Sequence, residues 1–205
     1  MSLRREWNAL RAFWYQEFRY DFRDSAIAFL ILVVIGYLAA RFLPLIQDWL
    51  TDLMTELMAQ EGLVTADGSL SASGLLASNL QACLTACLYG LIPFLYLPAL
   101  ALGLNAMLLG GLAALIQAQG SPLFLYLAAV LPHGIFEIPA LCLAFSLGLR
   151  LCAELTKICR KREHQPFSSI AASSGRVFVF CVLPLLAAAA CVEAWITPRL
   201  IGLLM

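Results

Sequence analysis

Residues 131–140 read LPHGIFEIPA and place a histidine and a glutamate four residues apart inside a long apolar tract. Glu137 is the first formally charged residue after Asp67. Residues spaced by four lie on the same face of a helix, so His133 and Glu137 are neighbours if this tract is helical. Ionisable groups are costly inside a membrane, and one that is kept there is by default a candidate for function.

Composition decides the class of protein. Of the 205 residues, 62% are hydrophobic and only 13% are charged, whereas soluble domains carry about 25% charged residues. Several apolar runs reach the roughly 20 residues that cross a bilayer as a helix. We therefore predict an all-α, polytopic membrane helix bundle in which residues 1–205 form a single integral membrane domain. The formal net charge of zero argues against a nucleic-acid partner and leaves the lipid bilayer as the expected environment.

The pattern predicts transmembrane helices at 25–43, 75–97, 99–118, 132–150 and 177–196. Apolar residues and arginines alternate at helical spacing in residues 1–24, which predicts a cytoplasmic helix lying at the membrane interface. Residues 44–74 form an extracytoplasmic loop with a short acidic amphipathic helix, and residues 151–176 form a basic cytoplasmic loop.

Charge asymmetry predicts the orientation. Cytoplasmic segments carry an excess of Lys and Arg, which fits residues 1–24 and 151–176. The 44–74 segment has neither Lys nor Arg and suits the outside. Five spans satisfy both assignments, with the N-terminus in the cytoplasm and the C-terminus outside.

The apolar run from Leu123 to Leu149 is long for one span, at about 40 Å of continuous helix against a hydrocarbon core of about 30 Å. We expect a helix break at Pro132 and Gly134, with Pro139 in the same segment. A short outer piece would precede the break, and Pro132 would begin the span, where a missing N–H costs nothing.

Further polar residues are predicted at the level of His133. His133 and Glu193 each lie 17 residues from a basic cytoplasmic helix end, Arg150 and Arg176, or about 26 Å of helix. Asn79 falls in the same layer, and Asn105 lies in a neighbouring span. This polar cluster could bind an ion, relay protons or hold a polar headgroup. It could equally consist of interhelical polar contacts, the interpretation that we favour for the two asparagines taken singly.

A metal site is a further hypothesis, with His133, Glu137 and Glu193 as candidate ligands. A catalytic zinc ion needs three protein ligands and a general base, and the sequence shows no H-E-x-x-H motif. Seven cysteines lack metal-finger spacing and fit the pattern of small apolar residues. We assign no catalytic residue, expect no cofactor and predict that the protein is not an enzyme.

Residues 132–140 have the form PHGxxExPA, and the chain at these positions resembles the stage II sporulation protein M family. The similarity extends to the Asn79 segment, to residues 104–110 and to residues 192–198. The resemblance implies an integral cytoplasmic-membrane protein of bacteria or archaea. In spore formers, the founding member is required for engulfment. It anchors a complex with stage II sporulation proteins D and P, which cut peptidoglycan.

Three hypotheses for function follow. The first is a non-enzymatic membrane scaffold that localises a peptidoglycan-hydrolase complex during septal membrane remodelling. The second is a transporter, channel-like or lipid-handling protein that uses the broken helix, as many transporters do. The third is an intramembrane metalloenzyme. Ladders of small residues in the spans would also allow a homodimer.

Overall fold

The computed structural model describes residues 3–58, 72–163 and 165–204, and within these ranges every regular element is helical. The α-helices are α1 (Leu3–Phe13), α2 (Arg19–Phe42), α3 (Pro44–Met58), α4 (Ala72–Tyr89), α5 (Leu97–Ala118), α6 (Leu123–Cys159), α7 (Phe167–Val177), α8 (Leu183–Cys191) and α9 (Thr197–Leu204). Three π-helical turns join consecutive helices: Trp14–Phe18, Phe178–Val182 and Val192–Ile196. The predicted all-α helix bundle is confirmed.

Four segments of the described residues are long and apolar enough to cross a membrane: Arg19–Phe42, Leu97–Ala118, Leu123–Cys159 and Phe167–Leu200. Their outer faces suit lipid, since Leu30 and Val34 of α2 leave more than half of their surface exposed. The remaining predicted span, the second in chain order at 75–97, corresponds to α4, which ends at Tyr89 rather than at residue 97. After Tyr89 the chain turns toward the start of α5, and the backbone is left-handed at Phe94 and Tyr96.

The predicted helix break at Pro132 and Gly134 is wrong. Helix α6 runs without interruption from Leu123 to Cys159 and contains Pro132 and Pro139. A proline inside a helix removes one backbone hydrogen bond, but in apolar bundles neighbouring helices and small backbone adjustments compensate for the loss. The length of the apolar run does not by itself predict a break. A helix longer than the hydrocarbon core is thick can tilt or extend into the headgroup layer.

The described residues of the two predicted loops, 44–74 and 151–176, are also largely helical. Residues 151–176 are mostly taken up by the last turns of α6 and by α7, and the described residues outside helix there are 160–163, 165 and 166. Residues 3–24, in the segment predicted as an interfacial helix, form α1, a π-helical turn and the start of α2, continuous with the first span. In the 44–74 segment, α3 is the predicted amphipathic helix, and residues 59–71 lie outside the described residues.

Helix α6 is the centre of the bundle and packs against α2, α4, α5 and α8. Its residues from Ala140 to Gly148 are all buried. At Gly148 the backbone approaches α4 so closely that a Cβ would overlap the Ala86 carbonyl oxygen. At Gly110 of α5 a Cβ would overlap the Val33 carbonyl oxygen of α2. These glycines of the predicted ladders are therefore used inside one chain and do not call for a second copy.

Polar contacts collect at the two ends of the bundle. At one end, Arg150 Nη1 lies 2.6 Å from Asp21 Oδ2. At the other end, the Tyr37 hydroxyl donates to Gln117 Oε1 at 2.6 Å. Near the second end, Leu50 of α3 is buried against Ala40 and Ala114, which holds α3 on the bundle.

Candidate functional site

Three ionisable side chains of the predicted polar cluster come together between α6 and the C-terminal helical segment. His133 and Glu137 lie one turn apart on α6. Glu193 is contributed by the π-helical turn Val192–Ile196. A π-helical turn adds a residue to the helix and redirects its side chains, and such turns are frequent at functional sites. The turn therefore sets the direction in which Glu193 projects.

His133 and Glu137 lie close together but beyond hydrogen-bond distance. His133 Nε2 lies 3.8 Å from Glu137 Oε2. One ligand atom from each of His133, Glu137 and Glu193 lies within 4.8 Å of the others. The His133 side chain is only 13% exposed, and its Nδ1 has no hydrogen-bond partner within the described part of the chain. A buried polar atom without a partner costs about 1–3 kcal/mol.

The three side chains line a cavity of about 340 Å³ that also contains both predicted asparagines. Asn79 of α4 and Asn105 of α5 contribute to its wall, together with apolar residues such as Phe29 and Leu141. The Asn105 side-chain amide donates to the Ala101 carbonyl oxygen one turn earlier at 2.8 Å, so its Nδ2 is engaged within its own helix.

The structure thus places all five predicted polar residues around one cavity, contributed by α4, α5, α6 and the turn Val192–Ile196. Pro132 and Pro139 lie in the same stretch of α6, but they do not end a helix there. Gly134 is buried, and a Cβ at this position would meet only side-chain atoms of Ile138 and Val130 at 3.6 Å. Gly134 is therefore not required by a backbone contact.

An imidazole and two carboxyl groups in this arrangement can share a metal ion, because nitrogen and oxygen ligands of this kind are common in protein metal sites. They can also exchange protons among themselves and with water in the cavity. Two carboxylates held close together repel each other unless a cation or a proton lies between them. The arrangement is therefore suited to a positively charged ligand and unsuited to an anion.

A second cavity, of about 650 Å³, lies at the opposite end of α6, where the sequence patterns predict no site. Asp21, Arg150, Glu154 and Lys157 contribute to its wall. Glu154 is buried and accepts a hydrogen bond from Lys157 Nζ at 2.6 Å. The sequence analysis uses the charges of this region only to predict the orientation in the membrane. The i, i+3 spacing of Glu154 and Lys157 is nevertheless a sequence signal for a local ion pair.

Comparison with known proteins identifies the family. A model of the family described as Stage II sporulation protein M matches residues 25–198, which include the four long apolar segments almost entirely and all five polar residues of the cavity. No curated protein and no solved structure matches the chain. The chain belongs to the stage II sporulation protein M family and is a multi-pass membrane protein.

Proposed function

We propose that this protein is a non-enzymatic membrane scaffold that localises a peptidoglycan-hydrolase complex during septal membrane remodelling and engulfment. The observation that carries the proposal is the family match over residues 25–198. In this role the partners are stage II sporulation proteins D and P, and the membrane is the cytoplasmic membrane of a prokaryote. The helix bundle supplies a rigid base, and the surface outside the membrane supplies the contacts.

Helix α3 is the best candidate for the recruiting surface. Leu50 fixes its inner face against α2 and α5, with only 1% of its surface exposed. The opposite face presents Asp48 and Asp52 to the exterior, and Trp49, half exposed, lies beside it at the edge of the apolar groove that Leu50 also lines. An exposed aromatic residue next to charged residues is typical of protein interaction sites, in which Trp is enriched. Because α3 is held by the bundle, this face keeps a fixed position relative to the membrane.

Co-purification tests the proposal. The full chain would be expressed together with stage II sporulation proteins D and P, solubilised in mild detergent and captured through an affinity tag. We expect the Trp49→Ala/Asp48→Asn/Asp52→Asn variant to recover at least about tenfold less of both partners, because one interface aromatic residue alone often contributes 2 kcal/mol or more.

The control is Asp24→Asn, an exposed carboxylate of α2 at the other end of the bundle. This variant should recover the partners as the unchanged protein does. If the α3 variant and the control recover equal amounts, α3 is not the recruiting surface. If the unchanged protein recovers neither partner, the scaffold function itself is refuted.

A transport or lipid-handling role is the second candidate, and the cavity of about 340 Å³ is the observation that favours it. A broken helix does not support this role, since α6 is continuous and offers no half-helix N-terminus at Pro132. Flux of cations or protons into proteoliposomes, with Glu137→Gln as the comparison, tests this candidate. Equal flux in liposomes with and without the protein would refute it.

A further inference from the structure

We propose that His133, Glu137 and Glu193 bind one divalent transition-metal ion, with Zn²⁺ as the representative, and that this ion ties α6 to the π-helical turn Val192–Ile196. The ion has a structural role here: it joins two segments that are far apart in sequence and closes one side of the polar cavity. The inference goes beyond the scaffold function and does not depend on it.

The spacing of the three ligand atoms carries the proposal. Zn²⁺ binds histidine nitrogen and carboxylate oxygen at about 2.0–2.2 Å, so two ligands of one tetrahedral ion lie about 3.4 Å apart. His133 Nε2 and Glu137 Oε2 are 3.8 Å apart, and all three ligand atoms lie within 4.8 Å of one another. The separation between His133 and Glu137 is too long for a direct hydrogen bond, and the three atoms are close enough for one ion to bind all of them once the side chains adjust.

The electrostatics of the cavity favour the same ligand. Glu137 and Glu193 approach each other from two helical segments, and two carboxylates so close repel each other unless a cation lies between them. His133 has a buried ring nitrogen without a hydrogen-bond partner among the described residues. One metal ion bound through Nε2 removes the repulsion, because it neutralises the carboxylates, and it also holds the imidazole in place; the unpartnered nitrogen is the other one, Nδ1.

The ligand types select the class of ion. Mg²⁺ and Ca²⁺ prefer sites made of oxygen ligands, whereas an imidazole together with carboxylates suits Zn²⁺, Mn²⁺ or Fe²⁺. Soft ions such as Cu⁺ would require sulfur ligands. The cavity of about 340 Å³ is large enough for water to complete the coordination shell. Asn79 also lines the cavity, and its amide oxygen could take the place of a water molecule as the fourth ligand.

The experiment uses the full chain purified in detergent, stripped with a chelator and titrated with Zn²⁺ in competition with a chromophoric chelator. We expect one Zn²⁺ ion per chain. Removing a direct ligand should weaken binding at least about 100-fold in Glu193→Gln and in His133→Gln, since even outer-shell changes typically cost 10–100-fold. Glu154→Gln, which changes a buried carboxylate elsewhere on α6, is the matched control and should leave the affinity unchanged.

Co²⁺ provides a spectroscopic check against binding by cysteine, since the chain has seven cysteines. The proposal expects absorption from nitrogen and oxygen ligands and no thiolate-to-cobalt charge-transfer band. Zn²⁺ should also raise the thermal unfolding midpoint of the unchanged protein, while Mg²⁺ should not, because only an ion bound to the folded state stabilises it. This measurement keeps the test valid if a ligand variant fails to fold.

Three results would overturn the proposal: no stoichiometric Zn²⁺ in the unchanged protein, an affinity in Glu193→Gln equal to that of the unchanged protein, or a strong thiolate band. Co-purification of the hydrolase partners is a separate measurement, so loss of the metal site and loss of the scaffold function are distinguishable.

Discussion

At the scale of single residues, the ion pair between Arg176 and Glu6 ties the first helix of the chain to α7. Arg176 Nε lies 2.6 Å from Glu6 Oε2, and the two side chains are 26% and 17% exposed. Removing one partner of a partly buried ion pair lowers the stability of the fold more than removing one partner of an exposed pair. We expect Glu6→Gln to lower the free energy of unfolding by about 1–3 kcal/mol, measured by denaturation with sodium dodecyl sulfate in mixed micelles.

The matched control is the pair Arg23–Asp24, which has a similar distance of 2.8 Å but side chains that are 62% and 65% exposed. Asp24→Asn should change the free energy of unfolding by less than about 0.5 kcal/mol, because solvent screens exposed pairs. A double-mutant cycle on Glu6 and Arg176 isolates the pair itself. A coupling energy close to zero would contradict the role given to this contact.

The sequence predicted the neighbours of His133 better than it predicted ion pairs. Counting residues from the basic helix ends gave His133 and Glu193 a common depth, and the structure places them around one cavity. The same counting contains no information on rotation about the helix axis, which decides whether Glu6 meets Arg176. Contacts of that kind depend on how helices pack and are specified by many residues at once.

At the scale of the element, the continuity of α6 makes a clear prediction for Pro132. If the helix continues through this residue, Pro132→Ala restores a backbone N–H that can donate to the carbonyl of Ala128, and the free energy of unfolding should rise by up to about 3 kcal/mol. If a helix began at Pro132, the same change would remove a favourable first-turn residue and lower stability. Denaturation in mixed micelles gives the sign.

The control for this change is Pro122→Ala. Pro122 precedes α6 with an extended backbone, a conformation in which proline restricts the unfolded chain without cost to the folded one. Replacement there should lower stability by about 0.4–1 kcal/mol. A loss of stability in both variants would contradict a continuous α6.

The crossing of α2 and α5 depends on Gly110. A Cβ there would overlap the Val33 carbonyl oxygen, so the two backbones must separate to accept it. We expect Gly110→Ala to lower the free energy of unfolding by about 1–3 kcal/mol or more, as overpacking does. A Cβ at Gly175 of α7 would meet no other atom of the described residues within 4 Å, and Gly175→Ala should raise stability by up to about 1 kcal/mol. Equal effects at both sites would refute the close packing of α2 on α5.

At the scale of the whole molecule, the class of fold followed from composition, whereas the limits of individual helices did not. Hydropathy depends on local residue type, so it located the start of α5 within two residues and the end of α2 within one, whereas the span predicted at 132–150 begins nine residues after α6 does. In the last turns of α6 and in α7, charged and hydroxyl side chains interrupt the apolar residues, and these segments were assigned to a loop. Those turns are helical because they extend helices already nucleated in the bundle, and adding a residue to a formed helix costs little.

The number of membrane crossings is the last prediction, and it depends on α4. Ala72–Tyr89 is about 27 Å long as a helix, close to the thickness of the hydrocarbon core. If α4 crosses the membrane, the chain has five crossings and its two ends lie on opposite sides. The basic residues Arg4, Arg5 and Arg11 of α1 then lie in the cytoplasm, as the positive-inside rule requires.

Reporter fusions decide between five and four crossings. Green fluorescent protein should fluoresce when it is fused before residue 3 or inserted between Arg162 and Gln165, because these sites are cytoplasmic in the five-crossing topology. Alkaline phosphatase should be active when it is fused after residue 204 or inserted between α3 and α4, because it needs an extracytoplasmic environment. Fluorescence at residue 204 together with fluorescence at residue 3 would place both ends in the cytoplasm. In that case α4 does not cross the membrane and packs as a partial span against Gly148 of α6.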